Sequence, residues 1–190
     1  GVWVLDPVDA PGVDDLLADL GEVVGVAVLS SYHARDAGTV AARHDVAVHT
    51  PRWMDRVEAR VDVPVERFAT TLSGSGFRVR KCEPLGLWQE AVAYRERDGT
   101  LYVPDLLGSA AGYAVSDERA GVVLSHRLTP PRELLGDLSP QRLLFGHGEG
   151  VLDDADRALT AALDGARRRF PRAVVEGFGP SLRSLRSAMW

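Results

Sequence analysis

At 190 residues and 20.5 kDa, with 45% apolar and 26% charged residues, the chain has the size and composition of one soluble globular domain, residues 1–190, with a real core. A net charge of -5, with no Lys/Arg-rich run, excludes a general nucleic-acid binder. The single cysteine, Cys82, excludes an intrachain disulfide framework and any multi-cysteine zinc site, and no apolar run approaches the roughly 18 residues of a membrane helix. No charged segment followed by an apolar one opens the chain, so the expected compartment is the cytoplasm. The partner expected on these grounds is a small molecule or another protein, with no nucleic acid and no membrane.

The chain begins within a strand, Gly1-Val2-Trp3-Val4-Leu5, that leads to Asp6-Pro7. Val13 to Leu20 has helical spacing, with Leu16, Leu17 and Leu20 on one face. Val23 to Leu29 is a continuous apolar run and predicts a strand buried on both faces, as parallel strands are. A polar turn, Ser30 to Asp36, precedes a short helix over Ala37–His44 and a strand over Val46–His49. This β-α-β-turn-α-β rhythm is that of an α/β fold. Short runs with alternating character follow at Arg60–Val65, Arg67–Leu72, Phe77–Cys82, Ala91–Tyr94 and Leu101–Val103, punctuated by the turns Ser73-Gly74-Ser75-Gly76 and Arg97-Asp98-Gly99-Thr100. Val122–Leu124 and Leu143–Phe145 add strands. Asp153 to Phe170 is the longest predicted helix, followed by a strand at Ala173–Val175, a Gly/Pro turn and a basic helix.

Three polar turns each follow an apolar strand: Tyr32 to Gly38, Pro104 to Gly108, and Gly146-His147-Gly148. The flanking glycines of the last let a ligand approach the imidazole closely. Two carboxylates, Asp36 and Asp105, meeting His147 at one sheet edge would make a facial site for a divalent ion. Equally, Asp36 could cap the helix after it and Asp105 could make a turn hydrogen bond. Cys82, His44, His49 and His126 read as structural: a packed thiol, and surface or turn imidazoles.

Taken in order, these motifs resemble the metallo-β-lactamase superfamily, over Val2 to about Leu163. In that family an aspartate closes an early strand, as in Leu5-Asp6. A buried strand then runs into Thr-His-x-His-x-Asp-His, whose place is taken here by Ser31-Tyr32-His33-Ala34-Arg35-Asp36-Ala37. A later hairpin ends in Gly-Asp, matching Asp98 to Asp105, and a last strand leads to Gly-His-Gly and a helix, matching Leu143 to Leu163. The resemblance implies an αββα sandwich of mixed sheets flanked by helices. The chain is expected to start within a longer product or after trimmed residues, and if the strands that the family has before Val2 are absent, the first sheet would have an exposed edge that could pair in a homodimer.

The departures bear on function. Alignment on Asp36 puts Tyr32, Ala34 and Ala37 where the family has histidines, and Leu87-Trp88-Gln89-Glu90 holds none in place of the family's middle histidine. What the resemblance carries over is Asp36, Asp105 and His147, most of one metal position, with His33 or Glu90 possible helpers. Tyr32, His33, Arg35, Trp88 and Glu90 would line the cleft, Trp88 and Glu90 filling volume that a histidine and metal take in active relatives. Arg35 would point toward the carboxylates and neutralise them, and would repel a divalent cation. The expected cofactor is none, or one weakly bound zinc, iron or manganese ion. The favoured function is a non-catalytic or weakly active family member that binds a ligand or partner. The alternative is a single-metal hydrolase of an ester, amide or phosphoester. Residues that would select a substrate lie in loops such as Ser73–Gly76 and Leu106–Tyr113, which carry no recognisable code.

Overall fold

The structure, a computed structural model, describes residues 1–83, 86 and 88–188, with side chains up to residue 176 of the last helix. The chain divides into two compact units, Gly1–Ala91 and Val92–Trp190.

In the first unit the predicted rhythm is realised as β1 (Val2–Leu5), α1 (Val13–Leu20), β2 (Val23–Ala27), α2 (Ala37–Arg43), β3 (Val48–Pro51) and β4 (Val65–Phe68). The four strands form one sheet in the order β1-β2-β3-β4, with every neighbouring pair parallel. Val26, Ala27, Val28 and Leu29 are fully buried, but the strand ends at Ala27 and Val24 is 43% exposed, so the expected burial on both faces holds only from Val26 onward. Two expectations are corrected. Arg60–Val65 is not a strand: Glu58–Arg60 is a 3₁₀ turn, and Asp62 and Pro64 delay the strand until Val65. His49 lies within β3 and is buried, its ring edge-on to Trp3 at 4.8 Å, rather than at the surface. Burial holds its pKa below the ordinary histidine value. Past β4, Leu72 N–H donates to the Phe77 carbonyl across the Ser73–Gly76 turn, where Gly74 and Gly76 take positive φ, and β5 (Arg78–Cys82) follows.

The loop after β2 is fixed by one buried carboxylate. Asp6 turns the chain at the end of β1 with φ 47°, a conformation that Asp tolerates better than most residues. Its Oδ1 accepts the backbone N–H groups of Leu29 at 2.7 Å and Ser30 at 3.3 Å. Its Oδ2 lies 3.4 Å from His33 Nδ1. The loop is held again by the segment before β6 (Glu90–Arg95): Ser31 N–H donates to the Gln89 carbonyl at 2.9 Å, and Gln89 N–H to Ser31 Oγ at 3.1 Å.

In the second unit, β7 (Thr100–Val103) pairs antiparallel with β6, and β10 (Arg142–Phe145) pairs parallel with β7, so this sheet is mixed. The β6–β7 turn is closed by Gly99 at φ 63° and by Asp98, whose carboxylate takes Arg95 Nε at 3.0 Å and Nη2 at 2.7 Å. Between β7 and β10 lie the short pair β8 (Leu107–Gly108) and β9 (Gly121–Val122), a 3₁₀ turn at Leu124–His126, and α3 (Arg132–Leu135). The expected Val122–Leu124 strand is therefore cut short by that turn. The last helix, α4 (Ala155–Ala188), buries Leu159, Ala162, Leu163 and Ala166 as expected. It does not stop at Phe170, and no strand forms at Ala173–Val175. Ala173 is 1% exposed and Val175 79%. Two residues on one face of a strand could not differ in this way, whereas in a helix they point to nearly opposite sides. Pro171 removes one donor from the helical ladder without ending it. Among the described residues no helix is long and apolar enough to cross a membrane.

Two outcomes check this account. Asp6→Ala strands two buried N–H groups and should cost about 2–4 kcal/mol in urea unfolding, whereas Asp6→Asn, which keeps an acceptor, should cost about half as much or less. Asp98 is held near a pKa of about 2, chiefly by its Arg95 hydrogen bonds. Its contribution is therefore present above the ordinary aspartate range and lost as pH falls through about 2. Asp98→Asn should lower stability near neutrality by about 1 kcal/mol or less, given solvent screening, and melts at decreasing pH should show the deficit shrinking below about pH 4.

Candidate functional site

In the first unit the turn after β2 carries most of the predicted cleft residues. Ser30 and Ser31 are buried, while Tyr32 is 44% exposed. His33 faces Asp6. Ala34 and Ala37, at two of the places where the resemblance expects histidine, are fully buried methyl groups. Asp36 sits at the N-cap of α2 but makes no side-chain cap bond. Both of its oxygens are engaged by its neighbour: Arg35 Nε donates to Oδ1 at 3.0 Å and Nη2 to Oδ2 at 2.9 Å. Oδ2 also accepts the Asp9 N–H at 3.2 Å. The Arg35 hydrogen bonds hold the Asp36 carboxyl below the usual carboxylate range, with burial opposing. Trp88 Nε1–H donates to Glu90 Oε2 at 3.0 Å, and Glu90 is fully buried. Leu87 lies outside the described residues. Cys82, as expected of a packed thiol, is pushed up to about 12, first by burial, and carries no thiolate near neutral pH.

In the second unit the register of the sheet brings Asp105 and His147 together. Val103 of β7 is opposite Phe145 of β10, and each polar residue lies two positions further along its parallel strand. His147 Nε2 is 2.9 Å from Asp105 Oδ1. The histidine side chain is 41% exposed and the aspartate 15%. The Gly146-His147-Gly148 turn is tied to the loop after β8: Ser109 N–H donates to the His147 carbonyl at 3.1 Å, Ala110 N–H to the same oxygen at 3.4 Å, and Ser109 Oγ–H to the Glu149 carbonyl at 2.7 Å. Gly148 has φ 99°, and a Cβ there would collide with Ser109 Oγ and Ala110 N. The Tyr113 ring stacks on the imidazole, centroids 5.3 Å apart and planes 15° apart.

Sequence reasoning missed Tyr113 and Ser109 as neighbours of His147, and no periodicity or motif marks either. It noted Asp6 through the resemblance alone, without its grip on Leu29, Ser30 and His33.

No known family profile matches the chain, and no curated protein matches it. Solved structures do. The chain is similar to TMB-1, whose structure was described for substrate and inhibitor binding, at 12% identity and a TM-score of 0.54 over 81% of this chain and 73% of that one. It is similar to the DIM-1 metallo-β-lactamase exposed to ceftazidime, at 13% identity and a TM-score of 0.51 over the same shares, 81% and 73%. It is also similar to the Flv1 flavodiiron core from Synechocystis sp. PCC6803, at 12% identity and a TM-score of 0.56 over 88% of this chain and 50% of that chain. At such identities the likeness speaks for fold and not for activity. With its mixed parallel and antiparallel sheets and its helices, the chain has the α/β fold of the metallo-β-lactamases.

Proposed function

We propose that this is a metallo-β-lactamase-fold protein with a depleted metal centre, non-catalytic or weakly active, that uses its strand-tip turns to bind a ligand or partner. The observation that carries the reading is the fork of Arg35 on both oxygens of Asp36. A bidentate guanidinium is the geometry that best satisfies a carboxylate, and it supplies a positive charge where a metal ligand would need to be free. The donor set does not fit a two-metal centre, because the buried methyls of Ala34 and Ala37 offer no ligand atom.

A second reading is favoured by one observation. Asp105 Oδ1 and His147 Nε2 are 2.9 Å apart on adjacent strand tips, and His147 is open to solvent. Such a pair can hold one divalent ion, although a catalytic zinc takes three protein ligands and two alone hold it weakly. A bound ion would supply Lewis acidity and a more acidic water for hydrolysis of an ester, amide or phosphoester. Two of the similar structures, a metallo-β-lactamase and a flavodiiron core, are metalloproteins by name.

Metal analysis of protein purified without chelator or metal resin separates the readings. The expected result is far less than one zinc, iron or manganese per chain, and no turnover of generic esters or phosphodiesters with added metal. A stoichiometric ion, with turnover abolished by chelator and by Asp105→Ala, would overturn the proposal in favour of the hydrolase.

A further inference from the structure

The segment between β8 and α3 buries a full ionic fork. The side chain of Arg127 has no solvent exposure and that of Glu118 only 2%. Arg127 Nη1 donates to Glu118 Oε1 at 3.1 Å and Nη2 to Oε2 at 2.7 Å. Nη2 also donates to the backbone carbonyl of Tyr113. Glu118 Oε2 accepts the Val115 N–H at 3.0 Å, so the pair grips the backbone on both sides of Ala114. Arg169 of α4 closes the outer side, with Nε 3.8 Å from Glu118 Oε1 and Nη2 3.1 Å from Asp117 Oδ1. Two glycines admit the arrangement. A Cβ on Gly121 would run into the Tyr113 carbonyl and lie 2.7 Å from Arg127 Nη2, and one on Gly108 would lie 2.7 Å from Tyr113 Cγ.

Burial of an ion pair seldom adds net stability over well-packed apolar residues, so its presence asks for another use, such as fixing one geometry. Here the geometry it fixes is that of Tyr113. The residue is held at its carbonyl by Arg127, at its N–H by the Ala110 carbonyl at 2.9 Å, and its ring lies flat on His147. Ala110 in turn donates to the His147 carbonyl. We propose that the buried Arg127–Glu118 pair is a positioning device for His147, acting through the Tyr113 ring to set the plane in which the imidazole meets Asp105. Tyr113, Arg127 and Glu118 are positioning residues. The inference deepens the proposed function, since it concerns the residue that any ligand or ion at this turn would meet, but the geometry it describes needs neither metal nor turnover.

The test reads the metal-free protein by NMR. The chain has five histidines, and the His147 ring signals are assigned by their loss in His147→Gln. Tyr113→Leu keeps the backbone carbonyl that Arg127 holds and removes the ring, so the His147 ring protons should move downfield as aromatic shielding is lost. Tyr113→Phe should restore the wild-type position. Glu118→Gln, if its circular dichroism matches wild type, should move the same signals in the Leu direction and weaken the Tyr113–His147 cross-peaks. If Glu118→Gln fails to fold, Arg169→Ala replaces it, loosening the fork from its exposed side, and the same shift, smaller, is expected. His147 signals that stay at the wild-type position in Tyr113→Leu, or in whichever fork variant folds, would overturn the proposal. Metal content measured on the same samples tests the proposed function separately, so failure of one is distinguishable from failure of the other.

Discussion

Parallel pairing of β7 with β10 is the constraint on which the second unit turns. Two strands that run side by side in the same direction cannot be joined by a tight turn, so the chain must leave the sheet and return. Here it leaves at Val103 and returns at Arg142. The register then decides the chemistry, because whatever follows Val103 and whatever follows Phe145 emerge at one edge. Asp105 and His147 meet for that reason and not because either seeks the other. The connecting segment, with only two-residue strands of its own, needs internal fixing, and the Arg127–Glu118 fork supplies it.

The legible part of this arrangement was the part written in periodicity. The apolar run Val23–Leu29, the spacing of Val13–Leu20 and the strand before Gly146-His147-Gly148 each place an element that the structure has, although Leu16, Leu20 and Val24 are exposed where burial was expected and only Leu17 of the helical stripe is buried. The illegible part depended on tertiary choices. Nothing local distinguishes Val65–Phe68 as a parallel neighbour of β3 from a hairpin strand, and β-branched Val174 and Val175 read as a strand until α4 carries them past Pro171. Within the candidate site, Arg35 beside Asp36 could be read because adjacency in sequence placed them together. Tyr113 could not, since its stack on His147 is made across a loop and rests on a buried ion pair that no sequence pattern signals.

Arginine is the common instrument. The chain has a single lysine, Lys81, among its 22 basic residues. Several of its carboxylates are met by planar forks, among them Asp36 by Arg35, Asp98 by Arg95 and Glu118 by Arg127. A fork fixes orientation as well as charge, which an ammonium group does not. Asp98 closes a hairpin, Glu118 sets a loop, and Asp36 is occupied at the mouth of a helix.

These forks differ in what the solvent can do to them. Arg35 is 75% exposed, whereas Arg127 is wholly enclosed. Mobile ions screen the first within a Debye length of about 8 Å at physiological ionic strength and cannot reach the second. Raising salt therefore weakens the exposed Arg35–Asp36 attraction more than the enclosed Arg127–Glu118 one. Of the two forks, the one on Asp36 lies open to the ionic composition around it, and the one beneath Tyr113 is closed to it.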